Sequence, residues 1–319
     1  MKPPYSLTST IFKLVTQISE RLGEAKALYL DKPSPQLRKR NRVKTIHSSL
    51  KIEGNTLTED QITAILDNKR VIGPKEDILE VKNAIEVYEN LEKYDPYSAK
   101  SFLLAHKLLM KGLIKKPGQY RTENVGIVQG DKVAYLAPPA ANVDYLMSDL
   151  FKYLKETEDL LLIKSCVFHY EMEFIHPFLD GNGRMGRLWQ SVILSKTYPV
   201  FEYLPFETLI SDTQREYYDV LGASDNHGES TIFIEYMLRV IGQSLDELLS
   251  FSNRTMKRDD RLRYFKSMNI ASFSRKDYME VFKDISSATA SRDLQEGVEM
   301  GLFEKHGDKR NTTYKAKKN

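Results

Sequence analysis

Cysteine is all but missing from this chain: Cys166 stands alone among 319 residues, which excludes an intramolecular disulfide framework. It falls on an apolar stretch, so a core position is expected for it. No apolar run approaches the roughly 20 residues that cross a bilayer, and Met1-Lys2-Pro3-Pro4 leads into no hydrophobic signal segment. A membrane span is therefore not expected, and the cytoplasm is the expected compartment. Charge of one sign is lacking too, with 47 Lys and Arg against 44 Asp and Glu. At 29% charged and 41% hydrophobic residues, the composition suits ordinary globular cores rather than disorder. The length suits about two or three domains.

What is present is concentrated between Glu173 and Arg187. Leu161, Ile163, Val167, Tyr170 and Phe174 recur at helical spacing, and Pro177 ends that helix, because its ring disfavours the helical conformation at the residue before it. His176 is thus expected at a helix exit. A second helix is expected over 183–197, so Asp180-Gly181-Asn182-Gly183 becomes a tight loop feeding a helix N-terminus. Glycines there let backbone N–H groups converge on an anion, helped by the positive end of the helix dipole. Arg184 and Arg187 oppose that dipole unless a polyanion lies beside them. Asp180 offers a hard oxygen for Mg²⁺, and His176 has the ordinary pKa of a general base near neutrality. His169, Glu173 and His176 share a helical face, but no HExxH occurs, and a metal site there is rejected.

His176 to Arg187 resembles, position for position, the HPFx(D/E)GNGRxxR signature of the Fic-domain family, which mostly transfers AMP from ATP to protein hydroxyls. The resemblance implies that His176 deprotonates the incoming hydroxyl and that Asp180 holds Mg²⁺. Gly181, Asn182, Gly183 and Gly186 would line the phosphate site, with Arg184 at the α/β-phosphates and Arg187 at the γ-phosphate. Gly183 stands where the kinase-type Doc relatives carry lysine, which implies nucleotide transfer.

Toward the N-terminus, helices are expected over 10–30 and 36–53, with Gly54 as a stop and Thr58 and Gln61 as a capping box for the next. Glu53 is an anion at the helix end where the dipole disfavours it. Ser49 to Glu53-Gly54 resembles the (S/T)xxxE(G/N) inhibitory motif of Fic proteins, which implies that Glu53 pairs with Arg187 in place of the γ-phosphate. In some relatives such a glutamate supports removal of AMP instead. Two short alternating runs, 124–129 and 132–136, flank Gly130-Asp131 and read as a hairpin. They resemble the Fic flap, in which Ile127 and Val128 would align a target segment by strand addition. Tyr217 and Tyr218, before a helix-breaking Gly222 region, resemble a tyrosine pair that helps line the nucleotide pocket.

Residues 254–319 carry 16 Lys and Arg against 10 Asp and Glu, a net of +6. Helices over 274–282 and 287–300, a turn at 284–286 and a basic hairpin over 302–315 resemble a winged-helix domain. Ser291, Arg292, Lys309 and Arg310 could meet DNA, whereas Asp293, Glu296 and Glu299 argue against a strong phosphate grip. The expected architecture is mainly α: an N-terminal helical region (1–90), a Fic-type core with a hairpin flap (91–253) and a winged-helix-like domain (254–319). The expected partners are ATP and a hydroxyl-bearing protein, with a homodimer and DNA left open. The expected function is an autoinhibited protein adenylyltransferase, and the alternative is a de-AMPylase or a DNA-binding regulator.

Overall fold

Start and stop signals in the sequence set the helices of the computed structural model, which describes residues 2–27, 35–129, 132–255, 258–268, 270, 272–282, 285–308 and 312–317. In chain order the elements are α1 (Ser9–Ala27), α2 (Pro35–Ile52), α3 (Glu59–Leu66), α4 (Lys75–Glu89), α5 (Ala99–Leu109), β1 (Gly126–Gln129), β2 (Lys132–Leu136), α6 (Val143–Glu156), α7 (Leu161–Ile175), α8 (Asn182–Ser195), α9 (Phe206–Asp212), α10 (Gln214–His227), α11 (Thr231–Thr255), α12 (Arg258–Ser267), α13 (Arg275–Val281), α14 (Ser287–Glu299), β3 (Phe303–His306) and β4 (Thr313–Ala316). Gly54, at φ 95°, ends the turn after α2. Thr58 and Gln61 form the expected reciprocal capping box on α3. No helix among the described residues is long and apolar enough to cross a membrane.

Two compact units result, Met1–Leu245 and Asp246–Asn319. The division lies within α11, after Leu245 and not at 253. Nor is 1–90 a unit by itself: α2 packs on α4, α8 and α9, inside the first unit.

Helix α7 is the centre of that unit. Every residue from Leu162 to Tyr170 is buried, so the single apolar face expected for it was too narrow. With α6 and α8 both packed on it, little of the helix is left to water. Even Lys164 is buried, and its Nζ donates to the Leu154 and Thr157 carbonyls at 3.0 Å each. It thereby satisfies acceptors left open at the end of α6. Cys166 is fully buried, and burial pushes its thiol up to about 12. Phe102, Phe178 and Trp189 form an aromatic cluster, Phe102 meeting Trp189 edge-on at 5.0 Å and stacking with Phe178 at 5.5 Å. Phe178 thus plugs the loop after α7 into the core, each such ring pair adding about 0.5–1.5 kcal/mol beyond area burial.

Helix α9 brings the fully buried Glu207 against α2. Burial pushes its carboxyl up to about 8, opposed by Arg187, Thr45 and Tyr88. An acid that holds its proton more tightly folded than unfolded loses stability as pH rises, here between the ordinary carboxylate range and about pH 8. Glu207→Gln is therefore expected to flatten the fall in unfolding free energy between pH 5 and 8.5, read from urea titrations, by on the order of 1–3 kcal/mol. Glu173, raised likewise to about 8 by burial, retains its share in both proteins.

Strands β1 and β2 pair antiparallel, from Gly126 opposite Leu136 to Gln129 opposite Lys132, with a register shift between Ile127 and Val128. The Gly130-Asp131 turn lies outside the described residues.

The second unit packs α12, α13 and α14 with the β3–β4 hairpin around Leu262, Phe265, Phe273, Tyr278, Leu294 and Phe303. Ser274 caps α13 in a box with Asp277, and Gly301, at φ 72°, follows α14. Asp293 is buried, accepting from Arg261 Nε at 2.7 Å and from the Tyr278 hydroxyl at 3.2 Å. Glu296 pairs with Arg258. These two acids, expected to weaken a phosphate grip, are neutralised within the unit; Glu299 alone of the three is exposed. Asp284, Lys309 and Arg310 lie outside the described residues.

Candidate active site

The chain leaves α7 through a left-handed residue. His176 adopts φ 51° and ψ 60°, its N–H donating to the Met172 carbonyl at 3.0 Å. A non-glycine residue there costs about 1–2 kcal/mol, so its neighbours must hold it. Arg121 does so: its backbone N–H donates to the Pro177 carbonyl at 2.8 Å and its Nε to the His176 carbonyl at 2.7 Å. Its Nη2 donates to Ile175 and to Pro138, beyond β2, at 3.2 and 2.6 Å. Sequence reasoning passed over this buried arginine, and nothing local distinguishes it from a surface one.

Asn182 closes the turn by bracketing Phe178, accepting from its N–H and donating to its carbonyl, both at 2.9 Å. Its side chain is therefore committed to the loop, leaving only its backbone for a phosphate. His106 lies flat on Phe178, ring centroids 3.5 Å apart. Its Nδ1 accepts from the Gly118 N–H at 2.8 Å, so Nε2 carries the proton and donates to the Asp180 carbonyl at 3.0 Å. Burial lowers its pKa to about 4, which keeps that tautomer neutral. This histidine, too, went unnoticed in the sequence.

Gly181 begins α8 at φ 88°, where an added Cβ would lie 2.8 Å from Met110 Sδ. Gly181→Ala combines left-handed strain with that overlap and is expected to destabilise by about 2–4 kcal/mol in denaturant unfolding. Gly186 faces away from any ligand: a Cβ there would meet His169 Cδ2 at 2.6 Å and Glu173 Oε1 at 2.8 Å. It is the position at which α8 approaches α7.

Both arginines of α8 are buried and paired. Arg184 Nη1 meets Glu80 of α4, and Nη2 donates to Asp180 Oδ1 at 2.6 Å. Arg187 is fully buried. Its Nε donates to Ser49 Oγ at 3.1 Å, and its Nη2 to the Ser49 carbonyl at 3.0 Å and to Glu53 Oε1 at 2.6 Å. Arg187 Nη1 and Arg184 Nε are buried without a hydrogen-bond partner. Glu53 lies one residue beyond α2, and its Oε1 lies 2.4 Å from where a Cβ on Gly183 would stand. Only a glycine at 183 lets the carboxylate settle there. Burial pushes the Glu53 carboxyl upward, but Arg187, Arg184 and His176 outweigh it and hold it below the ordinary value. It is a carboxylate at neutral pH. The Gln214 side chain donates to the Ile52 carbonyl at 2.9 Å, fixing the end of α2 beside it.

Burial lowers the pKa of His176; Arg121 adds to this, while the Glu173 carbonyl, Glu53 and Asp180 oppose it. The ring is neutral near pH 7, as a proton acceptor must be. Asp180 is half exposed, and its Oδ1 also accepts from the Gly181 N–H at 2.6 Å. Its Oδ2 makes no hydrogen bond among the described residues. A cation that keeps most of its water, with substrate phosphates as further ligands, fits one free carboxylate oxygen. No group of three or more His, Cys, Asp or Glu able to hold a metal by itself occurs among the described residues.

The tyrosine pair divides. Tyr217 is buried, its hydroxyl 3.0 Å from His169 Nε2, while Tyr218 is 39% exposed. Helix α10 runs unbroken through Gly222, so its register points Tyr217 into the core and leaves Tyr218 alone at the surface. Gln190 Nε2 donates to Ser165 and Cys166, and its Oε1 accepts from His169 Nδ1 at 2.7 Å. Tyr217 then donates to His169 Nε2, and both ring nitrogens are taken. Ile127 and Val128 lie in β1, at the register shift.

Residues 96–194 match the Fic/DOC family. A Fic family protein of Desulfovibrio desulfuricans G20, known from its crystal structure, is 38% identical at a TM-score of 0.77, over 100% of this chain and 99% of that one. The protein adenylyltransferase Fic of Nematostella vectensis is 29% identical over 224 residues, which is 64% of this chain and 48% of that protein. The chain thus spans about half the length of the curated relatives that it matches. A fragment of Fic-1 from Caenorhabditis elegans superposes with a TM-score of 0.63 over 75% of this chain at 20% identity, a likeness of fold alone.

Proposed function

Because the chain belongs to the Fic family, we propose that it is a protein adenylyltransferase, moving AMP from ATP onto a Ser, Thr or Tyr hydroxyl, and that Glu53 restrains it. The observation that carries this reading is the convergence of a neutral histidine, a helix N-terminus and two buried arginines on one turn. His176 accepts the proton of the target hydroxyl as its oxygen bonds to the α-phosphorus, and the bond from that phosphorus to the β-bridging oxygen breaks to release pyrophosphate. Arg184 and the first amides of α8 face the α- and β-phosphates, and Arg187 faces the γ-phosphate. Such fixed positive charge offsets the negative charge that phosphoryl transfer must accommodate. Asp180 would hold Mg²⁺, which supplies neutralisation of the phosphate oxygens when bound. Glu53 on Arg187 takes the place of the γ-phosphate, and ATP must displace it.

Incubation with ATP labelled at the α- or the γ-phosphorus tests the reading. Label from the α-position that stays on denatured protein supports it; label from neither position, with Glu53→Gly also assayed, sinks it. The pairing of Asp293 with Arg261 in the interior and of Glu296 with Arg258 at the surface favours a second role for residues 246–319, docking on duplex DNA through the outer face of α14, with Ser291 and Arg292. Binding that weakens steeply with salt would support it.

A further inference from the structure

The phosphate-facing arginines are held by different devices. Arg187 answers to Ser49 in the last turn of α2 and to Glu53 just beyond it, whereas Arg184 answers to Glu80, a side chain 104 residues away on α4. Glu80, Asn55 and Arg184 are all buried. Glu80 spends Oε1 on Arg184 Nη1, and Oε2 accepts from Asn55 Nδ2 at 2.7 Å. Asn55 also donates to the Asp77 carbonyl at 3.2 Å, and its Oδ1 accepts from the Leu57 N–H at 3.1 Å. Thr56 binds Asp77 Oδ2 through both its N–H, at 2.9 Å, and its hydroxyl, at 2.6 Å. The segment just after Glu53 is thereby fastened both to Asp77 in the first turn of α4 and to Glu80, the arginine's anchor, in the turn that follows.

We infer that Glu80 is a positioning residue for nucleotide binding: it fixes the Arg184 guanidinium with Nη2 turned to the Asp180 side, and Asn55 ties that anchor to the segment carrying Glu53. This rests on the nucleotide-transfer reading above. An arginine in the first turn of a helix is opposed by the dipole and loses rotamer freedom when ordered. Glu80 compensates both before any ligand arrives, since a charge-assisted hydrogen bond holds one edge of the planar fork and fixes where the other edge points. When Asp180 turns away, Nη2 is presented to a phosphate at little further ordering cost. The anchor is specific to Arg184, so it serves any nucleotide with α- and β-phosphates. The Glu53 brake, lying on Arg187, bears on the γ-phosphate.

Calorimetric titration with ATP and with ADP, both in EDTA so that no transfer occurs, separates the two. In a Glu53→Gly background, adding Glu80→Gln is expected to weaken ATP and ADP alike, on the order of tenfold, about one charge-assisted hydrogen bond. Asn55→Ala is expected to do the same more weakly, and it carries the test if Glu80→Gln fails to fold. Neither change should matter once Arg184→Ala is present. Unchanged affinities, a loss confined to ATP, or an equal loss in the Arg184→Ala background would overturn the inference. If no variant binds either nucleotide, the inference and the transferase reading fall together. Binding without any α-label transfer sinks that reading alone.

Discussion

Replacing Glu53 by glycine is expected to raise AMP incorporation from ATP on the order of a hundredfold and, in the same protein, to lower thermal stability. Both effects follow from the Glu53 contact with Arg187 at 2.6 Å. Removing one partner of a buried pair leaves the other uncompensated, at roughly 3 kcal/mol, and every 1.4 kcal/mol that ATP no longer has to displace is about tenfold in affinity. The same loss lowers the melting temperature by roughly 6–12 °C in a unit of this size. Saturating ATP should restore much of it, since the γ-phosphate refills the position. Glu53→Gln, which keeps the size and removes the charge, is expected to fall between. Scintillation counting of α-labelled protein alongside calorimetric melting reads both quantities, and a rise in transfer with no fall in stability would contradict the common origin.

His176→Ala is the opposite case: transfer is expected to fall by roughly 10²–10⁴, the usual worth of a general base, with the melting temperature nearly unchanged. The left-handed conformation costs alanine about what it costs histidine, and Arg121 grips carbonyls, not the ring. ATP affinity should survive, because no proposed phosphate contact involves the imidazole. The pH profile is a sharper check. Burial depresses the His176 pKa, so activity should hold through pH 6.5 and fall only as the solution becomes more acidic still. Glu53 is among the groups that raise it, so the acid limb of Glu53→Gly should lie lower than that of the wild type. Coincident acid limbs, or a limb above pH 6.5, would count against His176 as the base.

What the sequence disclosed was local. Pro177, Gly181 and the two arginines of α8 act within a turn or two of each other, and spacing alone placed them at a helix exit and a helix start. Thr58 and Gln61 were readable for the same reason, since a capping box spans four residues. Glu53 reached Arg187 only through family resemblance, across 134 positions. Glu80, His106 and Arg121 left no mark at all, because their partners lie 104, 74 and 55 residues away and are met only when α4, α5 and the loop before β1 pack against the α7–α8 turn. Tyr217 shows the converse error. The aromatic pair was visible, but its facing depended on whether α10 continued through Gly222, and a lone glycine does not decide that.

The complete burial of Arg187 constrains how the protein can be switched on. Its guanidinium keeps its charge, is covered on the Nη2 side by the partly exposed Glu53 carboxylate, and has Ser49 as a further partner. Lifting the carboxylate away without a replacement would strand a cation in the interior. With Glu53 as the proposed brake, release would work as ion exchange: one anion leaves as another arrives, and the resting and active forms would differ in which oxyanion is seated, not in whether the seat is filled. An activator that only pulled on the loop after α2 would meet this resistance in full, whereas one acting with ATP present would meet little of it.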